Sequence, residues 1–91
     1  MMMKQVHSST AFEKDIERQI RRNKDMEKLK SVIHSLVRGE KLDQIYQEHK
    51  LTGNYYSCRE CHIESDWLLI YKYDEENLSL IRTGTHADLF R

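Results

Sequence analysis

Proline is absent from this chain, and so are repeats, linkers and low-complexity stretches. Nothing marks a second unit, so the 91 residues predict one domain, residues 1–91, with a single modest core. No run of about 18 apolar residues occurs, which excludes a membrane-spanning helix. The start, Met1 to His7, lacks the apolar stretch of a secretion signal, so the expected location is the cytoplasm. Net charge is missing too: 15 basic residues balance 15 acidic ones. That balance argues against a generic nucleic-acid binder relying on bulk attraction.

Cysteine is limited to two residues, Cys58 and Cys61, which with His62 spell C-x-x-C-H. The pattern matches c-type haem attachment, but haem attachment needs an export route. The motif also falls in a predicted strand, where residues three apart point to opposite faces and the two sulfurs diverge. The same divergence weakens a zinc site built from Cys58, Cys61, His62 and His49, and a redox pair lacks the helix N-terminus that activates thiols. The cysteines are expected as small, reduced, sheet-filling residues.

What is present divides into a helical first half and a strand-rich second half. Lys4 to His7 is a short possible strand. Thr10-Ala11-Phe12-Glu13 has the form of a capping box, and Phe12, Ile16 and Ile20 follow on one helical face. Asp25 caps a second helix with Met26, Leu29, Ile33, Leu36 and Val37 on one stripe, stopping at Gly39. The two are expected as an antiparallel helical hairpin. Leu42 to His49 is a short helix or turn with Leu42, Ile45 and Tyr46 inward and His49 at its end. Tyr55 to Ile63, Trp67 to Tyr73 and Leu78 to Thr83 are strands of a meander turning at Asp74 to Asn77, with Trp67 to Tyr73 central because it is almost wholly apolar. The expected class is α+β: an N-terminal strand and a helical hairpin packed on a small, mainly antiparallel sheet.

Histidine is the side chain best suited to proton transfer near neutral pH. Of the five here, His7 and His34 have no visible partner and are expected at the surface or in packing. His49, His62 and His86 each sit at the edge of an element, as does the pair Asp66-Trp67. In an antiparallel meander His62 and Asp66 are neighbours across a turn, and His86 joins them if its loop folds back over the same sheet edge. Trp67 reads equally as core or as a contact, and Phe90 either stacks on a base or plugs the core edge. Charge is uneven: residues 1–50 carry 11 basic and 8 acidic side chains, residues 51–91 carry 4 and 7. Arg18, Arg21, Arg22, Lys24, Lys28 and Lys30 lie close together against two acidic residues, either a phosphate-facing patch or a solvated helix face.

Four segments carry a family resemblance. They are Asp25-Met26-x-Lys28-Leu29-Lys30, His49-x-Leu51-x-Gly53, Arg59-x-x-His62-x-Glu64-x-Asp66-Trp67-x-Leu69-Ile70-Tyr71-Lys72, and Arg82-Thr83-Gly84-Thr85-His86-Ala87-x-Leu89-Phe90. In order and over almost the whole chain, they resemble the YafQ branch of the RelE/ParE toxin superfamily. The resemblance implies a RelE/ParE-like fold and a bacterial type II toxin that cuts mRNA in the decoding site of the 70S ribosome. It also implies a DinJ-like antitoxin that wraps and inhibits the toxin, with operator DNA met only through that antitoxin. The family's functional residues fall on His49, His62, Asp66, Trp67, His86 and Phe90. The neutral charge departs from the usually basic toxins of this family.

Within that reading the RNA 2′-hydroxyl is the nucleophile and no metal or cofactor is required. His86 is the expected general acid, on a flexible terminal loop; His49 or Asp66 is the base; His62 carries positive charge or holds Asp66. Trp67 and Phe90 are expected to contact the substrate, Arg59 and Arg82 its phosphates. Arg18, Arg21, Arg22, Lys24 and Lys28 are expected on ribosomal RNA. The rivals are a ParE-like toxin that cuts no RNA and a small Cys/His zinc-binding module.

Overall fold

The computed structural model describes residues 3–90. Its elements run β1 (Gln5–Ser8), α1 (Thr10–Arg21), α2 (Met26–Val37), β2 (His49–Lys50), β3 (Arg59–Glu64), β4 (Trp67–Tyr73), β5 (Asn77–Gly84) and α3 (His86–Leu89). The five strands form one sheet in the order β1-β5-β4-β3-β2. β1 is parallel to β5 and every other pair is antiparallel, so the sheet is mixed and β4 is its centre, as its apolar run predicts.

Alternation along the strands gives the sheet two unlike faces. Cys61, Ile63, Trp67, Leu69, Tyr71, Leu78 and Leu80 share a core with Phe12 of α1 and Leu29, Val32 and Leu36 of α2. Leu68 and Ile70, on the opposite face, join Cys58 and Leu89 in a smaller cluster beneath α3. We call these the helix face and the open face.

Local chemistry moves several predicted boundaries. The N-cap of α1 is Ser9, whose side chain accepts the Phe12 amide; Glu13 instead receives the Ser8 hydroxyl. The buried stripe of α1 is Phe12, Asp15 and Gln19, while Ile20 is 55% exposed. The apolar spacing misleads here because α1 is anchored by a charge. Asp15 takes two hydrogen bonds from the Arg82 guanidinium, at 2.6 and 3.0 Å, and one from the Thr83 amide at 3.1 Å. Asp25 caps α2 as expected. Gln44–Tyr46 forms a 3₁₀ turn that leaves Ile45 exposed, with Leu42 buried and Tyr46 half-buried against the core as expected. His49 does not end a helix; it lies in β2, a strand of two residues with too little alternation to read. A 3₁₀ turn at Gly53–Tyr55 and a left-handed Ser57 delay β3 until Arg59. The Asp74 carboxylate closes the β4–β5 hairpin by accepting the Glu76 and Asn77 amides.

Candidate active site

The register of the sheet stacks the open face in rows. His49 of β2 pairs with Glu60 of β3, which pairs with Ile70 of β4. His62 pairs with Leu68, and Leu68 with Gly84 at the end of β5. Directly opposed residues point to the same face, so His49, Glu60 and His62 rise together from it. Because β5 ends level with His62, the next turn of chain brings His86 over it. The rings follow one another: His49 to His62 at 6.4 Å between centroids, His62 to His86 at 5.9 Å, His86 to Phe90 at 6.2 Å and Phe90 to Tyr55 at 5.7 Å.

His86 does not sit on a loose loop as expected. It opens α3, one helical turn with a complete capping box: the Thr85 hydroxyl accepts the Asp88 amide at 3.1 Å and the Asp88 carboxylate accepts the Thr85 amide at 2.9 Å. Arg22 at the end of α1 grips Asp88 at 2.7 and 3.1 Å and holds its carboxyl well below the usual range. Gly84 is required beneath this turn, since a Cβ there would lie 2.7 Å from an Asp88 oxygen. Asp66, in the β3–β4 turn, accepts both the backbone amide of His86 at 2.9 Å and its ring Nδ1 at 2.7 Å. These bonds, the amide first, keep the Asp66 carboxyl below its ordinary value. A carboxylate bonded to Nδ1 fixes the ring orientation and leaves Nε2 as the working nitrogen.

The other two imidazoles are oriented by carbonyls. His49 Nδ1 donates to the Gln47 carbonyl at 2.9 Å and His62 Nδ1 to the Ser65 carbonyl at 3.3 Å. Their Nε2 atoms both face Glu60 Oε1, at 3.4 and 3.5 Å. Glu60 is buried and went unread in the sequence. The signal for it was there: Glu60-x-His62 is a two-residue step in a strand, which places both on one face. Glu60, His62 and His86 each offer a ligand atom within 4.8 Å of the others, a set able to hold a divalent transition metal. The zinc set expected as a rival does not form, since Cys58 and Cys61 enter different clusters on opposite faces. Burial pushes the Cys61 thiol up to about 12, so it stays protonated.

Other expected site residues are committed elsewhere. Trp67 is wholly buried on the helix face; its indole N–H donates to the Thr83 hydroxyl at 3.0 Å, which donates to the Leu68 carbonyl at 2.7 Å. It is core, which corrects the expected substrate contact. Arg82 is the clamp on Asp15, whose hydrogen bonds raise its already high pKa, and it also reaches the Tyr55 hydroxyl. Arg59 pairs with Glu48 at 3.3 Å, and Glu48 also receives the Tyr71 hydroxyl. Asp66 Oδ1 holds His86, while His62 turns its Nδ1 to the Ser65 carbonyl, so His62 does not hold Asp66. Phe90 is 44% exposed, with its ring beside that of His86.

The basic segment is largely neutralised. Arg18 pairs with Asp15, Arg22 with Asp88, Lys24 and Lys28 with Glu64, and Lys30 with Glu27. Lys28 and then Lys24 hold the Glu64 carboxyl below its usual value. Of the six cations, only Arg21 lacks an ionic partner among the described residues.

The relatives of the chain bear on this site. Residues 4–91 match the family model described as a bacterial toxin of the type II toxin-antitoxin system, YafQ. The mRNA interferase toxin YafQ of Escherichia coli (strain K12) is 38% identical over 91 residues, 99% of each chain. A crystal structure of the E. coli DinJ-YafQ toxin-antitoxin complex aligns with a TM-score of 0.91 at 37% identity, covering 99% of this chain and 100% of that one. A metal-bound toxin from Helicobacter pylori aligns at 0.88 with 33% identity, covering 98% and 100%. Matched along nearly its whole length in sequence and in fold, the chain belongs to the YafQ family of bacterial type II toxin-antitoxin toxins.

Proposed function

We propose that this chain is a ribosome-dependent endoribonuclease that cuts translated mRNA by metal-independent acid-base chemistry on the RNA 2′-hydroxyl. The observation that carries this reading is the file of imidazoles His49, His62 and His86 on the open face, with Asp66 bound to His86. The relatives named mRNA interferase support it.

The 2′-oxygen attacks phosphorus, forming the new P–O2′ bond as P–O5′ breaks, and leaves a 2′,3′-cyclic phosphate and a 5′-hydroxyl. His49 is the base: its Nδ1 already donates to a carbonyl, so the 2′-proton goes to Nε2, where Glu60 stabilises the imidazolium. His86 gives its Nε2 proton to the departing 5′-oxygen, with Asp66 opposite the cationic ring. His62, between them and also facing Glu60, supplies positive charge to the phosphate. Phe90 offers a ring face for a flanking base. Arg59 would reach a phosphate only by leaving Glu48, and Arg82 only by leaving Asp15.

The partners that go with this activity are the 70S ribosome carrying mRNA and a DinJ-like antitoxin, with operator DNA engaged through the antitoxin. The place of action is the cytoplasm; no helix among the described residues is long and apolar enough to cross a membrane. On ribosomal RNA, Arg21 is the cation of the basic segment open to a phosphate, whereas Arg18, Arg22, Lys24 and Lys28 would first exchange partners. Primer-extension mapping on a translated mRNA tests the proposal: cleavage by the parent and cleavage at least about a hundredfold slower by His86→Ala is expected, and equal cleavage by both would sink the scheme.

A further inference from the structure

One row along the open face from His49 and Glu60 lies a cleft of about 360 Å³. The Leu51 amide donates to the Cys58 carbonyl at 2.9 Å, and the Arg59–Tyr71 register sets Cys58 beside Lys72. Leu51, Cys58 and Lys72 therefore form the next cross-strand row, two residues along each strand, about 7 Å from the catalytic one. Lys50 and Arg59 flank it, and Tyr56 stands at its mouth, 79% exposed. Lys50 and Lys72 have no ionic partner among the described residues; Arg59 pairs with Glu48. This is the reverse of the helical basic segment, where nearly every cation is answered by a carboxylate. Unpaired cations beside an exposed aromatic ring, over a small apolar floor, match the phosphate and base of a single-stranded nucleic acid.

The geometry points to a second nucleotide subsite: the mRNA nucleotide adjoining the scissile bond places its phosphate between Lys50 and Lys72 and stacks its base on Tyr56. The assignment rests on the ribonuclease reading, because it is the strand crossing His49, His62 and His86 that the next row would receive. The subsite would set how tightly mRNA is held and leave the proton transfers alone. Its cations also give a nearly neutral protein a local grip on an anionic strand.

The test uses the full chain on ribosomes translating a defined mRNA, with cleavage followed over a range of toxin concentrations. The variants are Lys50→Gln/Lys72→Gln, Tyr56→Ala and the conservative Tyr56→Phe. The lysine pair and Tyr56→Ala should each raise the half-saturating toxin concentration about tenfold or more while the rate at saturation stays as in the parent. Tyr56→Phe should behave as the parent. Removing two phosphate contacts should also flatten the logarithmic salt slope by about 1.4, at 0.7 per contact on a single strand. Parent-like half-saturation and salt slope in the lysine and alanine variants would overturn the subsite while leaving the nuclease standing. An equal loss of binding to ribosomes without mRNA would move the contact to ribosomal RNA and overturn it. So would a loss confined to antitoxin affinity, which would make the cleft an antitoxin contact. A parent that cleaves nothing would instead remove the ribonuclease reading itself.

Discussion

The two faces of the sheet are made from alternate residues of the same strands, and they spend their polar groups in opposite ways. On the helix face the anchoring ion and the indole dipole are closed off: Asp15 is saturated by Arg82 and Thr83, and Trp67 is bonded to Thr83. On the open face the groups are oriented but left with a working atom free. Asp66 fixes the amide and one nitrogen of His86, and carbonyls fix one nitrogen each of His49 and His62. Two residues of identical type thus take different parts. Asp15 is a bolt between α1 and β5, whereas Asp66 is a handle on a reactive ring.

The sharpest way to break this comparison is to mutate one face and read the property belonging to the other. His86→Ala should lower the rate of mRNA cleavage by about 10²- to 10⁴-fold, the usual share of a general acid, with no loss of stability in urea unfolding. An equal fall in stability would mean the open face is structural after all. Asp15→Ala should do the reverse. It leaves the buried end of Arg82 unpaired and should cost about 3–5 kcal/mol, while the surviving folded fraction cuts at the parental rate. Trp67→Phe keeps most of the packing and drops one buried hydrogen bond, at a cost of about 1–2 kcal/mol. Any large change in its cleavage rate per folded molecule would return Trp67 to the site. Zinc added in slight excess should silence cleavage through Glu60, His62 and His86 and raise the melting temperature slightly, since it binds only the folded state; a chelator should restore activity.

Acid pH separates the faces more gently. The Asp66 and Asp88 carboxyls of the open face are held below their ordinary values. A depressed carboxyl contributes its full stabilisation above the unfolded value near 3.9 and loses it as the pH falls through the folded one. Protection of the α3 amides from hydrogen exchange should therefore be flat from pH 7 to about 5 and fall only below about 4. A fall already at pH 6 would implicate the histidines instead. The smallest expected effect is that of Arg21→Glu, a single exposed charge outside any pair, measurable as a slightly flatter salt slope of ribosome binding.

The sequence carried the fold where periodicity is long and unmixed. The apolar run of β4 announces a central strand, and Asp25 and Gly39 bound α2. It failed where polar residues do a core residue's work. Asp15 and Gln19 occupy the buried stripe of α1, which no hydrophobic pattern reveals; the partners of Asp15, Arg82 and Thr83, belong to β5 at the other end of the chain. β2 escaped notice because two residues have no period. At the site, the three histidines and Asp66 were readable as edge residues, but their contacts were not. That Asp66 serves His86 and not His62, and that Glu60 faces two imidazoles, follows from strand register, a tertiary property. The basic segment misled for the same reason: its answering carboxylates, Glu64 and Asp88, belong to β3 and α3.

One turn of helix does not persist in water by itself. α3 exists because Thr85 and Asp88 cap it, Arg22 and Asp66 tether it and Leu89 plugs the small cluster beneath it. It therefore stands or falls with these few contacts, and His86 and Phe90 both ride on it. Opening this turn needs no disruption of the sheet, so local unfolding should precede global unfolding as temperature rises. A population warmed short of its melting point would then hold molecules that are folded by every spectroscopic measure and yet harmless, with activity returning on cooling as fast as a single turn can re-form.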